Sequence, residues 1–287
     1  MIWSVRIVSS LLVPVLFGVA LGNAESTSEG EAALQFDARG QFKIVQFTDL
    51  HLREGSKEDD KTIALMGQPN VGKSTIFNML TGLNQHVGNW PGKTVERRSG
   101  TFEHHGVRVD IIDLPGTYCL TAASPEERVA RDYIIQSRPD VVLVILSAAA
   151  LERNLYLVTE LLALPAPLVI GLNMLDVARE QGFDVEPRVL SAAIGVPVIA
   201  MTASRGEGVH ELIDTALEVA RHGPAQEPSR PEIREDHREV MAQMLDLVAP
   251  FVPQGYPPDW ITLKLLEGDE EITAMMRAVL PEATQAQ

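Results

Sequence analysis

From Thr62 onward, short apolar runs alternate with stretches whose apolar positions recur every three to four residues. That alternation predicts an α/β fold, a mostly parallel sheet covered by helices. "TIALMG" predicts a buried strand and residues 72–82 a helix, while residues 83–95 contain Gly and Pro and read as a loop. "VRVDIID" predicts a strand ending at "LPG". Ser124 is placed to cap the next helix, with Pro125 at its first position and Glu127 completing a capping box. "DVVLVIL" and "PLVIGLN" are unbroken apolar runs, as central strands buried on both faces require. "VPVIAMT" predicts the last strand and "GVHELIDTALEVARH" a closing amphipathic helix. "GPAQEPSRP" breaks the pattern, and "EIREDHREVMAQMLDLVAPFV" and "WITLKLLEGDEEITAMMRAVL" then read as helical. The expected organisation is an α/β domain over 61–222, a linker over 223–231 and a small all-α domain over 232–287.

The first sixty residues follow other rules. "MIWSVRIVSSLLVPVLFGVALGNA" carries Arg6, an apolar run from Ile7 to Leu21 and a small-residue ending, a secretory signal pattern with cleavage expected after Ala24. The run is short for a bilayer span and Pro14 interrupts it; no later stretch is apolar enough to span a bilayer. Residues 25–40 read as an acidic linker, and "QFKIVQFTDLHL" as a strand and loop. Asp49 and His51 resemble the first metal-binding loop of a purple-acid-phosphatase-like metallophosphoesterase. Such a site needs further loops, yet no Asn-His or Gly-His dipeptide occurs, and the only Gly-Asp, Gly268-Asp269, falls in the terminal helices. Two ligands do not make a catalytic binuclear centre, so the pair reads as a loop without metal. The resemblance stops near Lys61, which places the seam of a joined, chimeric chain in "GSKEDDKT".

A net charge of −15 and a pI near 4.9 argue against a nucleic-acid groove, which needs clustered Lys and Arg. Cys119 is the only cysteine, so no internal disulfide can form, which fits a reducing compartment. It reads as a small buried or half-buried filler. His104 and His105 fall at an expected hairpin turn, where the ordinary reading is two solvent-exposed rings without metal.

The chemistry lies in five short segments, four of them at the ends of predicted strands. Gly67-Gln68-Pro69-Asn70-Val71-Gly72-Lys73-Ser74, followed by Thr75, matches G-x-x-x-x-G-K-[ST] at every fixed position. Glycines let the backbone curl until successive N–H groups face a phosphate, Lys73 reaches the outer phosphates, and the Ser74 hydroxyl can sit on Mg²⁺. The helix behind adds its positive N-terminal end. The base falls to "NMLD", Asn173-Met174-Leu175-Asp176. The Asp176 carboxylate can accept from both donors of a guanine edge, which adenine lacks. Alone, Asn173 and Asp176 could simply cap a helix; their place at a strand's C-terminal end favours the base. Thr202-Ala203-Ser204, after the last strand, is placed to back it. In Asp113-Leu114-Pro115-Gly116, Asp113 can hold Mg²⁺ through water and the Gly116 N–H can meet a γ-phosphate. Thr94, in the loop after the first helix, is the candidate second hydroxyl on the metal, which would make that loop a switch; its alternative reading is a strand-start threonine.

In this order, with "QHVGNWPGKTVERRSGTF" between the first and third, these elements resemble the N-terminal cytosolic GTPase module of the bacterial ferrous-iron transport B proteins. The resemblance runs from about Lys61 to the chain's end, and "VGNWPG" is its most specific part. It implies a P-loop GTPase fold, a phosphate loop at Gly67 to Ser74, a switch loop with Gly92 and Thr94, and a second switch at Asp113 to Gly116. It implies guanine reading by Asn173 and Asp176 with Thr202 to Ser204 behind. An activating K⁺ at Asn70 and a helical domain that slows GDP release also follow from it. Thr117 stands where many small GTPases carry a water-orienting Gln, and the family also lacks that Gln. Slow hydrolysis, with Asn70, Lys73, Thr94 and Gly116 as the catalytic set, is therefore expected. Lys93 departs from the family's usual apolar residue. The family's membrane transport domain, a candidate partner, has no counterpart in this sequence, so the chain is not expected to transport iron itself. The resemblance implies the cytoplasm or the cytoplasmic membrane face, which conflicts with the secretory pattern. Two alternatives are a truncated secreted phosphoesterase-like product without activity, and a ribosome-assembly GTPase, which the phosphate loop also suits. The sequence does not give the oligomeric state.

Overall fold

The computed structural model describes residues 60–121, 124–229 and 235–281, and the short strands β1 (Trp3–Ser4) and β2 (Ala33–Leu34), which pair antiparallel. Apart from Trp3–Ser4, the signal pattern lies outside the described residues, as do the phosphoesterase-like strand and the Asp49–His51 pair.

The main unit is built on seven strands: β3 (Lys61–Gly67), β4 (Gln85–Asn89), β5 (Glu96–His104), β6 (Val107–Asp113), β7 (Val141–Ser147), β8 (Leu168–Asn173) and β9 (Val198–Ala200). Their order is β4-β5-β6-β3-β7-β8-β9. From β6 to β9 the neighbours run parallel, while β4, β5 and β6 form an antiparallel meander at one side. The helices are α1 (Lys73–Thr81), α2 (Pro125–Ser137), α3 (Leu151–Leu162), α4 (Leu175–Glu180), α5 (Pro187–Ile194), α6 (Val209–His222), α7 (Glu235–Val248), α8 (Pro258–Leu266) and α9 (Glu270–Val279). None of the described helices is long and apolar enough to cross a membrane.

Side chains alternate across a strand, so each central strand feeds two cores. Ile63, Leu65, Leu143 and Ile145 pack on one face with Ile76 and Phe77 of α1 and Leu212, Ile213 and Ala216 of α6. Ala64, Met66, Val142, Val144 and Leu146 pack on the other with Ala130 and Ile134 of α2 and Leu157, Val158 and Leu161 of α3. Trp260, Ile261, Ile272 and Met276 of α8 and α9 belong to that second core. The α2 capping box forms as the sequence predicts, with Ser124 Oγ accepting from Glu127 N–H at 3.2 Å and Glu127 Oε2 from Ser124 N–H at 3.1 Å.

Three elements differ from the hydropathy pattern. Residues 83–95 contain a strand, β4, paired with β5 in the register Val87↔Arg98. "QHVGN" has no apolar alternation because this edge strand leaves most of its side chains exposed; a main-chain ladder holds it. The last helical stretch is two helices, broken at Gly268 with φ 77°, where Asp269 caps α9 by accepting from Glu271 N–H and Ile272 N–H, each at 3.0 Å. In "VPVIAMT" only Val198–Ala200 form the strand.

Candidate functional site

Three strand ends converge at one edge of the parallel sheet. β3 ends in the Gln68–Gly72 loop and α1 begins at Lys73. Asn70 (φ 65°) and Gly72 (φ 89°) take left-handed conformations, which curls the loop tightly. A Cβ at Gly67 would stand 2.7 Å from the Ile145 carbonyl oxygen, and one at Gly72 would collide with the Asn173 amide. Both glycines are therefore required by close approach. Lys73 folds back over this loop, and its Nζ donates to Asp113 Oδ1 and to the Leu114 carbonyl. Burial pushes its ammonium below the ordinary lysine value, and the Asp113 carboxylate opposes that shift. Ser74, Thr75 and Asn70 remain exposed beside it.

Asn173, 4% exposed at the end of β8, joins the phosphate loop to the loop after β9. Its Nδ2 donates to the Val71 carbonyl at 2.9 Å and its Oδ1 accepts from Ala203 N–H at 2.9 Å. Met174 follows with φ 62°, which swings the chain into α4 and places Asp176, half-buried, in that helix's first turn. Thr202 and Ala203 are buried and Ser204 is exposed. Thr202 pairs with Glu207 in an isolated bridge.

On the other side, Leu114 N–H donates to the Leu65 carbonyl at 3.0 Å and Thr117 N–H to the Gly67 carbonyl at 3.2 Å. These bonds lay Asp113 to Gly116 against the phosphate loop. Pro115 is half-buried and Gly116 exposed. The buried Thr117 hydroxyl has no hydrogen-bond partner among the described residues. The Gln68 side chain turns away from the loop: Nε2 donates to the Arg153 carbonyl at 2.8 Å, so only its main chain is left to face a ligand.

Thr94 is exposed on the 90–95 loop, as are Gly92 and Lys93. This loop rests on α2: Trp90 meets Tyr133 edge-on at 5.4 Å between ring centroids, and Lys93 Nζ lies 3.6 Å from Asp132 Oδ2. Burial pushes the Tyr133 phenol up to about 12. Cys119 is half-buried, as expected, and its Sγ donates to Glu127 Oε1 at 3.3 Å.

Side chains without a local motif complete the surroundings. Asn154 Oδ1 accepts from Ser147 N–H at 3.2 Å, and Ser147 Oγ donates to Met174 Sδ at 3.4 Å. Glu160 accepts from Leu120 N–H, from Thr121 Oγ1 at 3.3 Å and from Lys264 Nζ at 2.9 Å. These partners lie up to 104 residues apart in the chain, beyond the reach of any spacing rule.

The family model described as Ferrous iron transport protein B matches residues 61–216. The chain belongs to that family. Among ferrous iron transport protein B relatives, the Porphyromonas gingivalis Fe(2+) transport protein A/Fe(2+) transporter FeoB fusion protein is 39% identical over 217 residues, 73% of this chain and 25% of its own length. The Escherichia coli K12 Fe(2+) transporter FeoB is 38% identical over 78% of this chain and 28% of its own. The chain thus spans about a quarter of the curated relatives it matches. The S. thermophilus NFeoB structure, a mutant bound to mGDP, superposes with a TM-score of 0.72 at 38% identity, covering 79% of this chain and 85% of that one. The apo cytosolic domain of the T. maritima FeoB iron transporter gives 0.71 at 32% identity, covering 78% and 88%. The α/β architecture is thus that of the family's solved GTPase domains.

Proposed function

We propose that residues 61–222 bind and slowly hydrolyse GTP as the regulatory part of a ferrous-iron transporter, and that helices α7 to α9 form an appended domain over 232–287. The observation that carries this reading is the convergence at Lys73: a curled phosphate loop, a buried ammonium, the Asp113 carboxylate and the Asn173 bridge meet at one sheet edge. Family membership supports it.

In this reading the main-chain N–H groups from Gln68 to Thr75 cradle the phosphates and Lys73 neutralises the outer ones. Asp176 reads the guanine edge, Asn173 holds the base-side loop against the phosphate loop, and Thr202 to Ser204 back the base. Ser74 and Asp113 offer the hard oxygen donors that Mg²⁺ prefers, Asp113 lies beside the phosphate-loop lysine, and Thr94 supplies a further hydroxyl. Mg²⁺ would supply charge neutralisation during phosphoryl transfer. Asn70, exposed and held at positive φ, offers an amide oxygen for K⁺. Gly116, exposed beside Pro69 of the phosphate loop, would offer its N–H to the terminal phosphate. Hydrolysis is slow because Thr117, buried with its hydroxyl turned inward, offers no group to orient water. The partner in this reading is a membrane transport domain, which the Fe(2+) transporter names and greater length of the relatives support, and the working place is the cytoplasmic face. The signal-like N-terminus and the phosphoesterase-like pair belong to a separate, joined N-terminal piece that plays no part in this chemistry.

Calorimetric titration of the purified chain with GTP, GDP and ATP tests the central claim. The expected order is guanine nucleotides well ahead of ATP, with Asp176→Ala losing that preference by about tenfold or more, since the mismatch leaves buried polar groups unpaired. An unaltered preference in Asp176→Ala, or a parent that favours ATP, rejects the assignment. Turnover is expected to be faster in K⁺ than in Na⁺, a difference that Asn70→Ala removes; equal rates in both salts would end the potassium role.

A further inference from the structure

The two histidines at the β5–β6 turn are not both solvent-exposed, contrary to the ordinary reading of a hairpin tip. His104 keeps 10% of its side chain exposed, while His105 keeps 75%. Successive strand residues normally point to opposite faces. Here the two-residue turn has φ 50° at His105 and φ 76° at Gly106, with His104 and Val107 still in register. Positive φ at both central positions is the hairpin geometry that ordinarily selects Asn-Gly or Gly-Gly. It brings both rings to one side, their centroids 4.3 Å apart.

Both rings meet α6. His104 Nε2 lies 2.7 Å and His105 Nε2 3.2 Å from the same oxygen, Asp214 Oδ1. Three ligand atoms, one from each residue, lie within 4.8 Å of one another. His210 stands one helical turn before Asp214 on α6, and its ring centroid is 5.8 Å from that of His104. In a tetrahedral site with bonds of about 2.0–2.1 Å, neighbouring ligand atoms are separated by about 3.3 Å. The two histidine-to-Asp214 spacings, 2.7 and 3.2 Å, lie near that value, and the third pair is within 4.8 Å. Two or three imidazoles and one carboxylate suit Zn²⁺ and its transition-metal neighbours and do not suit Mg²⁺.

We infer that His104, His105 and Asp214 form a three-residue binding site for a divalent transition-metal ion that clamps the β5–β6 hairpin to α6, with the neighbouring His210 or water completing the coordination. The site lies at the opposite end of β6 from Asp113, so it is separate from the nucleotide chemistry.

Titration of the full chain with Zn²⁺, and with Co²⁺ for its visible absorption, tests the assignment. One equivalent is expected to bind, insensitive to excess Mg²⁺, with a tetrahedral Co²⁺ spectrum and a raised melting temperature. Asp214→Ala and His105→Ala replace side chains that are half or more exposed, so the fold should survive. Each should weaken Zn²⁺ binding about tenfold or more, the loss typical when a metal site's immediate support is cut. His222→Ala, two turns farther along α6, should bind as the parent does. No Zn²⁺ binding up to submillimolar concentrations, or parent-like affinity in both Asp214→Ala and His105→Ala, overturns the site.

Discussion

Lys73→Ala should weaken GTP binding by roughly thirtyfold to several thousandfold and remove detectable turnover. The range follows from the cost of cutting one member of a buried charged contact, about 2–5 kcal/mol at about 1.4 kcal/mol per decade. Lys73 is 9% exposed and is the only ammonium among the described residues that reaches Asp113 and the Leu114 carbonyl together. An alanine would leave an anionic ligand facing main-chain dipoles alone, and would leave Asp113, 8% exposed, without its counter-charge. The nucleotide-free variant should therefore also melt earlier than the parent. Fluorescent-nucleotide titration and phosphate release read the first effect, and a thermal melt the second. A variant that bound GTP within a few fold of the parent would show that the cradle works without this side chain.

The second large effect is expected on folding stability. Arg131→Ala should destabilise the protein by about 3–5 kcal/mol, the usual cost of deleting one partner from a buried ionic cluster. Arg131 is 1% exposed on α2. It donates to Glu271 at 2.8 Å and to Asp132 at 3.3 Å, approaches Asp269 to 3.8 Å, and lies over the Trp260 ring at 5.8 Å. Its removal opens a void beside Trp260 and strands Asp269, 7% exposed, whose other oxygen caps α9. Arg131→Met, which restores most of the volume, should cost less than Arg131→Ala. Urea unfolding of both variants checks the pair; equal losses would mean that packing beneath Trp260 contributes little.

These two residues also mark how far the sequence could be read. The phosphate loop is legible because its chemistry needs Gly, Lys and Ser at fixed offsets, and the strand before it and helix after it are separately visible in hydropathy. Asn173 and Asp176 carry little information as two letters in four; their place after a buried strand makes them readable. The central strands are legible as unbroken apolar runs. β4 is not, because an exposed edge strand held by main-chain bonds leaves no apolar signature. Arg131 reads as one charge in a charged helix, since its partner Glu271 stands 140 residues away. His104 reads as a hairpin-tip residue for the same reason: Asp214, which covers it, is 110 residues distant.

Glu160 shows what such distant pairing does to the molecule as a mechanical object. One carboxylate group serves the backbone of the loop after Gly116 and the 2%-exposed ammonium of Lys264 in α8. Moving α8 away would leave the Glu160 carboxylate, 10% exposed, without its ammonium, although Lys264 would keep Glu267 at 2.8 Å. Arg131 makes a second tie of the same kind, from α2 to Glu271 of α9 at 2.8 Å. The terminal helices are therefore fastened to the α/β body by side chains distant in sequence, through Glu160, Arg131 and the packing of Trp260, and not by chain connectivity alone.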